Sequence, residues 1–146
     1  MGLKIFKALW FLSMLAVLAN LLFTYMSLPE NVVIRDDGEA RIALPRDSFF
    51  YIMTALLAIV NVMVYFISRI FKKDFDFRAW FHGLVITLNI FFIISMNFIG
   101  LFNSGERFDY KRIDFIIYGS LGLFLIWTLA WPIYAAYKKF LIKATV

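Results

Sequence analysis

The chain has 146 residues, of which 63% are hydrophobic, 20% aromatic and 17% charged, with a formal net charge of +5. Ordinary soluble domains are about 45–50% apolar and about 25% charged, and a short chain buries only about two-thirds of its exposable surface. The composition therefore excludes a soluble globular domain and a disordered chain, and points to an all-α membrane protein.

The first apolar stretch runs from Ile5 to Met26. Lys4, Lys7 and Val17-Leu18-Ala19 imitate a cleavable signal, but the apolar run continues through Leu21, Leu22 and Phe23. That is too long for a signal-peptide core, so the expectation is a retained first helix. Phe6 stands where a myristoylation motif needs Ser or Thr.

Pro29 ends the first helix by removing a donor and restraining Leu28. Residues 32–44 read as a small β-hairpin. Their first arm is β-branched, their second alternates, and Asp37-Gly38 suits the tight turn. A lone hairpin is marginal in water, so it must rest on the helix ends or on a partner. Two roles stand open for it: a cover for the helix ends, or a docking strand for another subunit or an external ligand. In the second role Val32, Val33, Ile34, Asp37 and Gly38 make the contact. Asp47 or Ser48 is the expected cap of the second helix.

The second stretch runs from Phe49 to Ile70, the third from Ala79 to Phe102 and the fourth from Ile113 to Tyr137. Each exceeds the roughly 20 residues that cross hydrocarbon, and none carries a charge well inside. A lipid-exposed backbone must bond to itself, so these are helices, and the chain is one four-helix domain. Pro132 is expected to kink the fourth helix. Gly119 and Gly122 sit three apart, which is not the close-packing GxxxG spacing.

Charge sets the expected orientation. Nine basic residues against Asp74 and Asp76 flank one side, and six basic against eight acidic residues flank the other. The basic excess places both termini in the cytoplasm and the hairpin outside. Trp10, Trp80 and Trp131 then fall near the inner boundary, and Tyr25, Tyr51 and Tyr110 near the outer one. The basic residues read as topology determinants, so no nucleic-acid partner is expected; the expected surroundings are the lipid bilayer and other membrane subunits.

Four asparagines lie inside the apolar stretches. At about 1.5 Å rise per residue, Asn61 lies about 18 Å from one face and Asn89 about 14 Å from the other, near the midplane of a core about 30 Å thick. Asn20 and Asn97 share the outer third. Two depth-matched pairs, Asn61 with Asn89 and Asn20 with Asn97, are therefore expected to bond between helices, either as packing contacts or as a site for a polar ligand or ion. Arg78 and His82 lie four apart at the inner end of the third helix. They are expected to contact lipid phosphates or a neighbouring subunit, with a quinone or other ligand contact as the alternative for His82.

No Cys and a single His exclude disulfides, thiolate metal sites and a Cys nucleophile. No nucleophile, base and acid converge, so catalytic residues, metal and cofactor are all expected to be absent.

Leu28-Pro29-Glu30-Asn31-Val32, followed by Ile34, Gly38 and re-entry into the apolar phase, resembles the first outer loop of the SdpI-like bacterial immunity membrane-protein family. The resemblance spans Tyr25 to Phe49. The His and aromatic pair usual after the Val is missing and the loop is shorter before Gly38, so no functional residue carries over. The resemblance implies a bacterial cytoplasmic membrane. The expected role is a non-catalytic accessory or assembly subunit of a larger membrane complex. The alternative is a small transporter, channel or immunity-type protein acting alone or as a homo-oligomer.

Overall fold

The computed structural model describes residues 2–36, 41–105 and 114–144. They form α1 (Gly2–Ser27), β1 (Asn31–Asp36), β2 (Arg41–Pro45), α2 (Arg46–Ile70), α3 (Phe75–Asn103) and α4 (Asp114–Ala144). All four helices are long and apolar enough to cross a membrane. Several run past the apolar stretches, because backbone hydrogen bonding continues into the polar flanks. Thus Asp74 caps α3 by accepting from the Phe77 N–H at 2.9 Å. In the same way α4 continues through Pro132 to Ala144.

The start of α2 differs from expectation. Its N-cap is Pro45, with no side-chain cap bond. Neither Asp47 nor Ser48 caps it, because the Arg46 N–H instead donates to the Glu30 carbonyl at 2.8 Å. Asp47 accepts from the Tyr25 hydroxyl at 2.8 Å, and the Arg46 guanidinium lies 4.9 Å from the Tyr25 ring. These contacts tie the end of α1 to the start of α2.

α3 is the spine. α1 lies along it most extensively, α2 more sparingly, and α4 covers another flank. The core joins Val17 and Leu21 of α1, Leu57 of α2 and Met96 of α3 to Leu28, Val32 and Phe49. Between α3 and α4 the polar contacts are reciprocal. The Trp80 indole N–H donates to the Trp127 carbonyl at 2.8 Å, and the Trp127 indole N–H donates to the Trp80 carbonyl at 2.9 Å. Gly83 makes room for this exchange, since a Cβ there would overlap the Trp127 ring. Nearer the α2–α3 turn, Trp131 meets Phe77 at 5.0 Å and Trp80 at 5.7 Å. Ser120 is the one buried side chain of α4 among the described residues.

The hairpin is antiparallel, with Val33 opposite Ala43 and Arg35 opposite Ile42, so Ile34 is an extra residue at a bulge. It rests on the helix ends through Asn103, whose Oδ1 accepts from the Val33 N–H at 2.7 Å while its Nδ2 donates to the Val33 carbonyl at 2.9 Å. One amide side chain thus takes the place of a neighbouring strand.

Candidate functional site

The densest polar arrangement lies midway along the bundle. Asn89 is the central residue of α3, and Asn61 faces it from α2. Asn61 Nδ2 donates to Asn89 Oδ1 at 3.1 Å, and Asn89 Nδ2 donates back to Asn61 Oδ1 at 3.2 Å. α1 completes the group. The Trp10 indole N–H donates to Asn61 Oδ1 at 3.0 Å, Asn89 Nδ2 donates to Ser13 Oγ at 3.0 Å, and the Ser13 hydroxyl donates to the Trp10 carbonyl at 2.8 Å. Asn61 Nδ2 also donates to the Leu57 carbonyl at 2.9 Å. Asn61 therefore uses both donors and both acceptor positions, and Asn89 uses both donors. Asn89 is fully buried and Asn61 is 7% exposed. The group closes on itself and crosses three helices, so its chemistry is that of a fastener.

The second expected pair does not form. The Asn20 Nδ2 is buried without a hydrogen-bond partner. Asn97 is exposed and lines the groove between α3 and α4. Depth alone does not fix azimuth. Asn97 lies eight residues beyond Asn89, which turns it about 80° round the helix from the inward stripe, and there it borders Phe23, Thr24 and Ser27 of α1 on one side and α4 on the other.

His82 is another correction. It was expected at an interface, yet it is 2% exposed. Its Nδ1 lies 2.6 Å from the Arg78 carbonyl, and its ring meets the Trp10 ring edge-on at 5.8 Å. Lipid phosphates do not reach it. His82 is two turns before Asn89, which puts it on the same inward face. Arg78 is half-buried, and its Nη1 donates to the Lys72 carbonyl at 3.1 Å. Trp10, expected near the inner boundary, turns its indole N–H to Asn61 inside the bundle. Trp80 is likewise turned to a helix carbonyl.

Of the expected docking residues, Val32 and Val33 are 0% and 8% exposed and are spent on the chain's own core. Ile34, at the bulge, remains exposed. Asp37 and Gly38 lie outside the described residues.

Sequence reasoning missed Ser13, Gly83, the strand contact of Asn103 and the Trp80–Trp127 exchange, and one signal would have grouped the first and third of these with Asn89, His82 and Trp10, which it had singled out. His82, Val85, Asn89, Phe92, Met96 and Asn103 of α3 recur at spacings of three, four or seven, the stripe that faces a neighbouring helix. Trp10, Ser13, Val17, Leu21 and Thr24 make the matching stripe on α1. Gly83 and the Trp80–Trp127 exchange carry no such signal, since their acceptors are backbone carbonyls.

Among the described residues no three His, Asp or Glu side chains gather where they would share a metal ion. Comparison of the chain with protein families, with curated proteins and with solved structures finds no significant match.

Proposed function

We propose that the chain is a non-catalytic accessory or assembly subunit of a larger membrane protein complex, residing in a bacterial cytoplasmic membrane with both termini inside. The observation that carries this reading is Asn97. Its amide is exposed within the span of α3 and makes no hydrogen bond among the described residues. It faces an apolar groove of about 210 Å³ lined by Ile94, Phe98, Leu101, Ile116 and Ile117. An unpaired amide in hydrocarbon is costly, and a helix from another subunit that fills the groove with a Ser, Thr, Asn or Gln would satisfy it. The closed asparagine group supports the same reading, because its polar atoms are used for packing. The charge asymmetry of the loops supports the orientation.

The test is a photo-crosslinking residue at Ile116, combined with purification of tagged protein in mild detergent. The expected result is an adduct with a different membrane polypeptide that co-elutes in fixed stoichiometry and is lost in Asn97→Leu. Adducts with lipid or with the chain itself alone overturn the reading. A homo-oligomer whose stability depends on a solute would instead establish the small-transporter or channel alternative.

A further inference from the structure

At the α2–α3 turn a recess runs beneath the last turns of α4. One part, of about 440 Å³, is lined by Lys73, Asp74, Asp76 and Lys138 among others. The other, of about 300 Å³, shares Asp74 and Lys138 and adds Trp131, Tyr134 and Lys139. Each carboxylate engages a neighbour through one oxygen. Asp74 Oδ1 accepts from the Phe77 N–H at 2.9 Å, and Asp76 Oδ2 accepts from the Tyr134 hydroxyl at 3.1 Å and lies 3.7 Å from Lys138 Nζ. Lys73 and Lys139 are exposed and make no hydrogen bond or ion pair among the described residues. Three lysines against two aspartates leave the recess one positive charge in excess.

We propose that this recess binds the phosphodiester of an anionic membrane lipid, with Lys73 and Lys139 as its charge contacts and the Trp131 and Tyr134 rings beside the glycerol and upper acyl chains. One excess charge matches one phosphodiester. A zwitterionic headgroup carries no net charge and would leave the excess positive charge of the recess unmatched. Free phosphate would leave the aromatic wall unused, whereas Trp and Tyr rings at the end of membrane-length helices sit at headgroup depth. Basic recesses between helix ends are suited to anionic headgroups. This inference is independent of the α3/α4 groove and of any partner subunit.

The test reconstitutes the full chain in phosphatidylcholine vesicles and titrates brominated phosphatidylglycerol or brominated phosphatidylcholine, reading quenching of Trp fluorescence. Brominated phosphatidylglycerol should quench at lower mole fraction. The preference should fall about fivefold in Lys73→Gln and again in Lys139→Gln, and should weaken with added salt. Lys4→Gln, an exposed lysine outside the recess, should leave it unchanged. Equal quenching by the two lipids overturns the proposal. An equal loss in Lys4→Gln overturns it too, because it shows diffuse attraction to the surface. Displacement of the lipid by inorganic phosphate shows that phosphate is read without lipid, and overturns the lipid assignment.

Discussion

Asn61 and Asn89 hold three helices together with short, mutually completing bonds, and the value of each bond depends on the others. Replacing Asn89 by Leu removes three of these bonds, leaves one Asn61 donor without a partner and takes the incoming N–H from the Ser13 hydroxyl. Intramembrane hydrogen bonds contribute about 0.6–2 kcal/mol each, partly because the separated helices find other partners. Asn89→Leu and Asn61→Leu should each cost about 1–2 kcal/mol, and the double variant should cost less than their sum. Unfolding in mixed detergent micelles reads this directly, and full additivity would show that the two amides do not act together. Trp10→Phe should cost less than either, since it removes the indole bond to Asn61 while keeping the ring against His82.

At the scale of elements, α4 and the hairpin are each held to α3 by a reciprocal device. For α4 it is the Trp80–Trp127 exchange over Gly83. Gly83→Ala should therefore separate α4 from α3 at a cost of about 1–3 kcal/mol, the range for overpacking. Pairing it with Trp127→Leu should recover part of that loss. Disulfide trapping between cysteines introduced at the α3–α4 contact checks both outcomes. For the hairpin the device is Asn103. Asn103→Leu should raise amide exchange at Val33 while leaving the helices protected, and an unchanged Val33 would mean that β2 alone holds the strand.

The four helices were legible because hydrocarbon imposes a length and forbids unpaired backbone, and hydropathy reads both constraints. The hairpin was legible because β-branched residues flank a Pro and an Asp-Gly pair. The azimuth of each helix was harder. Asn20 and Asn97 match in counted depth and do not bond, since Asn97 borders Phe23, Thr24 and Ser27 instead, and His82 looked interfacial because its position along the chain was weighed without its place on the stripe through Asn89 and Met96. The Trp residues misled for a physical reason. An indole N–H settles at headgroups or on a buried carbonyl with equal ease, and the choice depends on whether a Gly such as Gly83 opens the way.

Across the whole molecule, α3 is the element that α1, α2, α4 and β1 all contact. The proposed orientation is open to a simple measurement, because the sequence contains no native Cys. Single cysteines at Lys4 and Lys139 should react with an impermeant reagent only in inverted vesicles, and one at Ala43 only in intact cells. The opposite result for Lys139 would refute the orientation. The order of the elements also has a consequence during synthesis. Asn61 enters the membrane before its partner exists, since Asn89 follows 28 residues later. At roughly 5–20 residues per second, that interval lasts about one to six seconds. During it the Asn61 amide has the Leu57 carbonyl and the Trp10 indole within reach. Trp10 is thus the side chain placed to hold α2 beside α1 before α3 arrives.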